Sequence, residues 1–192
     1  AGRAAILEAK NSVPGAVDLP FLGSAAQLLY GRGLLAEALD VLELAVEMYP
    51  DFTEGRMMLG DAYLMADYSS RALGEYRAAR EVATDNQALA DRISWTEDLV
   101  AAEETPVSLH DDILENYVGD YGPRHVALRD HRLYYRRDGN DEYALIALSE
   151  DTFALEGYGV FRVRFMVGED GVATKLVGLY LGGRQDESVK DQ

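Results

Sequence analysis

The sequence has no cysteine, three lysines (Lys10, Lys175 and Lys190), three histidines and one tryptophan among its 192 residues. Without thiols, disulfide frameworks and thiolate metal sites are excluded, and the redox compartment stays open. The shortage of lysine removes two further chemistries. No serine has a lysine three positions on and no glycine directly precedes a lysine, so a serine–lysine nucleophile pair and a phosphate-cradling P-loop are both missing. A Gly-x-Ser-x-Gly elbow is missing too. No apolar run approaches the roughly 20 residues that span a bilayer. The chain opens on Ala1-Gly2-Arg3 without a charged-then-apolar leader; if it is exported, its signal has been removed.

Positive charge is also scarce. Eighteen Lys and Arg face 34 Asp and Glu, for a net charge of −16. A surface of this sign repels phosphate backbones and anionic lipid, so neither nucleic acid nor membrane insertion is expected. The plain reading of the acidity is solubility. Hydrophobic residues make up 48%, enough for a packed core.

What is present is a period of 34. Ala38 stands 34 residues before Ala72, Ala45 before Ala79, Ala26 before Gly60 and Leu29 before Tyr63. In Thr53–Asn86, Leu59, Gly60 and Tyr63 share one face of a first helix, and Ala72, Tyr76 and Ala79 one face of a second. Small residues let paired helices approach, while Leu42, Tyr63 and Tyr76 fill the space around them. The expected helices are 1–12, Leu19–Arg32 capped by Asp18, Leu35–Tyr49, Thr53–Ala66, Ser69–Ala83 and a polar terminal one to about Glu104. Val13-Pro14-Gly15 should break the first from the second. Residues 1–12 are either the tail of a preceding domain or a mature N-terminus.

This order of small and large residues resembles the tetratricopeptide repeat. The resemblance implies a non-catalytic protein-interaction or scaffolding module. Its first helices would line a concave groove with Gly23, Gln27 and Tyr30 from one copy and Met57, Asp61, Leu64 and Met65 from the next. No lysine or arginine stands among them, which argues against a clamp for a peptide carboxylate. Two repeats bury little. The groove is therefore expected to hold either a foreign protein or peptide, or the chain's own N-terminal or β segments.

After Thr105-Pro106 and a short helix from Asp111 to Tyr117, the period falls to two. Expected strands are 117–121, 125–129, 132–137, 142–148, 152–156, 159–167, 173–181 and 184–189, punctuated by Asp138-Gly139-Asn140, Ser149-Glu150-Asp151, Asp170-Gly171 and Gly182-Gly183. Such short connections force an antiparallel meander. The fold class is α+β, a helical domain over 16–104, a linker over 105–116, and a seven- to eight-stranded sandwich or small barrel over 117–190.

Leu-Glu-Asn-Tyr-Val-Gly-Asp-Tyr-Gly from Leu114, then Leu-Tyr-Tyr-Arg-Arg, and Lys-Leu-Val-Gly-Leu-Tyr-Leu-Gly-Gly-Arg-Gln-Asp-Glu ending at Glu187, resemble a small β domain. That domain closes bacterial beta-lactamase-like serine hydrolases and some tail-specific peptidases. The resemblance implies an accessory region of a bacterial hydrolase, with periplasm or exterior favoured over cytoplasm, and carries no catalytic residue here.

Neither half calls for a cofactor. His110-Asp111-Asp112 reads as a capped turn rather than a metal site, with Asp111 or Ser108 as the cap, and His125 and His131 lack ligand spacing. Arg129, Arg132, Arg136, Arg137, Arg162 and Arg164 form the one basic concentration in this acidic sequence, either paired within the chain or free for an anionic ligand. Tyr135, Leu145, Phe153, Phe161, Val163 and Tyr180 alternate inward. They either fill a small barrel or line a small-ligand cavity in it.

Overall fold

The computed structural model describes residues 2–12, 17–169 and 171–191, with the backbone alone at 2, 3, 5, 9 and 10. The expected break at Val13-Pro14-Gly15 and the first half of the Asp170-Gly171 turn lie outside these described residues. The chain is α+β: among the described residues, seven helices precede an eight-stranded antiparallel sheet. Contacts divide it into two compact units, Ala1–Ile93 and Ser94–Gln192. The division falls inside a helix and not at Thr105-Pro106, where the composition changes.

The first unit contains α1 (Gly2–Ser12), α2 (Leu19–Gly31), α3 (Leu35–Met48), α4 (Thr53–Met65), α5 (Ser69–Val82) and the opening of α6 (Gln87–Glu104). The 34-residue period is written into the backbone. Helices begin at residues 19, 53 and 87 on one side of each hairpin and at 35 and 69 on the other. Leu34 N–H bonds Leu29 O, and Tyr68 N–H bonds Tyr63 O, the same 6→1 turn one period apart. Gly33 and Asp67 fill the left-handed position of that turn, at φ 75° and 64°. The terminal helix is in phase as well and simply runs on longer. Asp18 caps α2 as its sequence predicts, accepting from Phe21 N–H at 2.9 Å.

Small-on-large packing follows the sequence. Gly60 and Tyr76 are buried against each other so closely that a methyl group at Gly60 would lie 2.7 Å from Tyr76 Cζ. At the matching positions one period earlier, Ala26 and Leu42 are also buried. Among the described residues, no helix is long and apolar enough to cross a membrane.

The second unit opens with the remainder of α6, then α7 (Asp111–Glu115) and β1 (Gly119–Tyr121), β2 (Arg124–Arg129), β3 (Arg132–Arg137), β4 (Glu142–Ala147), β5 (Thr152–Leu155), β6 (Tyr158–Val167), β7 (Ala173–Tyr180) and β8 (Gln185–Val189). Each strand pairs antiparallel with the next, in sequence order. The sheet curls until its ends nearly meet, with Asp191 N–H donating to Asp120 O at 2.8 Å across the seam. Alternation along β6 puts Phe161, Val163 and Phe165 into the core. One end of the near-barrel is stoppered: Leu114 of α7 and the following Tyr117 join the core, with the Tyr117 ring stacked 4.4 Å from Phe165. The other end is not.

The short helix α7 departs from its expected capping. Its N-cap is His110, which makes no side-chain cap bond; Asp112 accepts from Ile113 N–H, and Asp111 pairs with His131 at 2.6 Å.

Candidate functional site

The open end of the near-barrel is built where β3, β5 and β7 finish and β4 and β6 begin. Residues of one parity on β3 point inward, so Leu133 and Tyr135 enter the core and Arg137, the next in phase, reaches the rim. The β3–β4 turn contributes Gly139, Asn140 and Asp141, with Gly139 at φ 76°. Together with Tyr143, Leu155, Tyr158, Phe161 and Tyr180, these residues enclose a hollow of about 390 Å³. That size is within the range of small-molecule sites. Five of the ten residues lining it are aromatic: Phe161 lies 4.9 Å from Tyr180 and 5.8 Å from Tyr135, and Tyr143 lies 5.9 Å from Tyr158.

Behind these rings, a charge is buried. Arg124 precedes Val126 in phase and so turns inward, where it is only 2% exposed. Its Nη2 donates to Asp186 and its Nη1 to Ser188 Oγ at 2.9 Å. Tyr180 OH donates to the other oxygen of Asp186 at 3.2 Å. Burial works against the Arg124 charge, but Tyr135 and Asp186 outweigh it and hold its pKa above the ordinary arginine value. Gly178 makes the room: a Cβ there would lie 2.9 Å from Phe161 and 3.0 Å from Arg124 Nη2. Two donors are left over. Arg124 Nε is buried without a hydrogen-bond partner. The Arg137 guanidinium makes no hydrogen bond among the described residues, its nearest carboxylate being Asp186 at 3.9 Å.

The β3–β4 turn that forms the rim is pinned from outside. His125 sits between two carboxylates, Nδ1 at 2.7 Å from Asp120 and Nε2 at 2.8 Å from Asp138. Bonds to Asp120 first and Asp138 second raise its pKa, because only the imidazolium donates to both.

A larger hollow of about 550 Å³ lies beside Pro106–Leu109. Its charges are already spent, with Arg132 on Glu156 at 3.1 Å and His131 on Asp111.

In the helical unit, the expected groove is only partly assembled. Gln27, Tyr30, Asp61 and Met65 line one hollow of about 150 Å³ between α2, α3 and α4. Met58 lines it in place of Met57, and Leu64 is buried at 1% exposure instead of facing a ligand. Adjacent helical residues are about 100° apart, so a small error in assigning the groove face exchanges lining for core. Asp61 is engaged as well. It accepts Tyr76 OH at 2.6 Å and a two-pronged bond from Arg92, at 2.8 and 3.0 Å.

The expected basic concentration disperses. Arg129 covers the Tyr134 ring at 4.0 Å and pairs with Glu142; Arg136 is 3.9 Å from Asp138; Arg164 Nε bonds Thr152 Oγ1 at 3.1 Å. Arg162 is not on the surface. It lies beneath Trp95 at 3.9 Å, donates to Trp95 O and to Asp98, and burial lowers its pKa. An α6 segment covering β6 overrides the exposure that strand alternation predicts.

Sequence reasoning passed over Arg124 and Asp186, although Arg124 shares the parity of Val126. Among the described residues, no group of three or more histidines and carboxylates is placed to hold a metal. No family model, curated protein or solved structure matches the chain.

Proposed function

We propose that this chain is a non-catalytic binding module whose ligand site is the open mouth of the β near-barrel. The observation that carries this reading is the tyrosine-rich hollow of about 390 Å³ with Arg137 on its wall and no hydrogen bond to that guanidinium from the described residues. Such a hollow offers ring stacking and apolar burial together with an orienting polar group, the usual make-up of a small-molecule site. The interior below is filled by the chain's own side chains, which confines the ligand to the mouth. An accessory role beside a bacterial exported hydrolase is compatible with such a module. Titrating the ¹⁵N-labelled chain with ring compounds, neutral and charged, tests the site. The amide resonances of Gly139, Asn140 and Asp141 should move, and Tyr158→Ala should weaken the response. A panel that leaves those resonances still removes the reading.

A second reading, protein interaction through the helices, is favoured by one comparison within the repeat. Leu28 and Tyr30 of α2 are 56% and 47% exposed, whereas Ala62 and Leu64, one period later on α4, are 5% and 1% exposed. Both positions are covered on α4, which packs against α3 and α5, and open on α2, which packs against α3. A partner helix resembling α3 would suit it. A synthetic peptide of the α3 sequence should bind the intact chain and lose affinity for Leu28→Glu; equal binding to both would remove this reading.

A further inference from the structure

From the pairing of charges around the mouth, and resting on the reading of that mouth as a ligand site, we infer that the ligand is a ring-bearing monoanion, a carboxylate held by Arg137 with its ring among the tyrosines. Two arginines and one carboxylate sit together behind and beside the rings, with one further charge of each sign, Asp141 and Arg184, exposed around them. Asp186 is claimed by Arg124 and by Tyr180 OH. Arg137 is thus the surplus cation, 42% exposed, planar, and able to present two parallel N–H groups. A carboxylate matches that fork.

The remaining charges decide the class. A cationic ligand would gain from the aromatic faces. It would also approach Arg137, with Arg124 behind it, and Tyr180 already carries the Arg184 guanidinium 3.8 Å from its ring centre. A dianion such as a phosphate monoester would meet Asp186 and the exposed Asp141 on the rim. One negative charge balances one surplus arginine and leaves little repulsion. The rings supply the rest of the contact, and an apolar or flat body is what they stack against. In a chain of net charge −16, long-range fields disfavour anions, so recognition has to come from the short-range fork.

The test uses matched pairs that differ only in charge: benzoate and benzamide, indole-3-acetate and indole-3-acetamide, cyclohexanecarboxylate and cyclohexanecarboxamide. Each is titrated into the full chain, with affinity read from the Gly139–Asp141 resonances. At least one acid should bind about tenfold more tightly than its amide, the size of a charge-assisted hydrogen-bonded contact. Arg137→Gln should erase that preference while leaving the protein's melting curve in place. Amides that bind as well as their acids, or an Arg137→Gln chain that keeps the preference, overturn the monoanion and leave the site standing. Rim resonances unmoved by all six compounds overturn both.

Discussion

Each unit of this protein contains a tyrosine, an aspartate and an arginine bound together, and the two groupings end differently. In the helical unit, Tyr76 and Arg92 saturate Asp61, and Arg92 engages both carboxylate oxygens. Nothing is left over, so the grouping reads as a strut between α4, α5 and α6. In the near-barrel, Tyr180 and Arg124 hold Asp186, but Arg124 Nε and the neighbouring Arg137 retain donors, and an aromatic hollow adjoins them. The same three side chains serve stability where the network closes and offer recognition where it stays open.

That contrast can be broken most strongly at its two aspartates. Asp186→Ala strands the Arg124 charge in the interior and should cost about 3–5 kcal/mol in urea denaturation. Asp61→Ala should cost less, about 1–3 kcal/mol, because Arg92 is 17% exposed and can turn toward water. Equal losses would mean that the two networks are energetically alike. Close approach is tested next. Gly60→Ala drives a methyl into the buried Tyr76 ring and should destabilise by about 1–3 kcal/mol, with the tyrosine's fluorescence environment changed.

Smaller effects sharpen the comparison on the near-barrel side. The His125 clamp holds the rim turn through a pKa raised above the ordinary 6.5. Its stabilisation is therefore complete below that value and lost as pH rises through the folded pKa. His125→Gln should flatten this dependence of the unfolding midpoint on pH; an unchanged slope would mean that the clamp holds nothing. Arg137→Gln should alter stability least, by no more than about 0.5 kcal/mol, since its one ion pair is long and half exposed. A large loss there would make Arg137 structural and deprive the mouth of its spare donor.

The helical half could be read closely from the residues, because its signals are local. Helix limits follow from Asp18, Gly33 and Pro50, and the period from Ala26, Gly60, Ala38 and Ala72, each acting through neighbours in sequence. The strands were legible for the same reason, through alternation between short turns. The candidate site was not. Tyr135, Phe161 and Tyr180 were identifiable as inward residues, but the spare donors of Arg124 and Arg137 depend on Asp186, some sixty residues from Arg124 in β8. Leu64 is buried where a groove lining was expected, and Arg162 takes the intrachain pairing of its two expected states, because burial is set by which neighbour arrives to cover a face.

Periodicity, turn chemistry and composition by themselves determined an α+β chain with a 34-residue helical repeat and an antiparallel meander of seven or eight strands, because backbone geometry and apolar spacing act over a few residues. Closure decided everything else. Only when β8 returns beside β1 does Asp186 meet Arg124, and only then does Arg137 remain with side-chain donors to offer. Long-range electrostatic pairing is a property of the folded sheet, and no local pattern in the chain encodes which charge will be left unmatched.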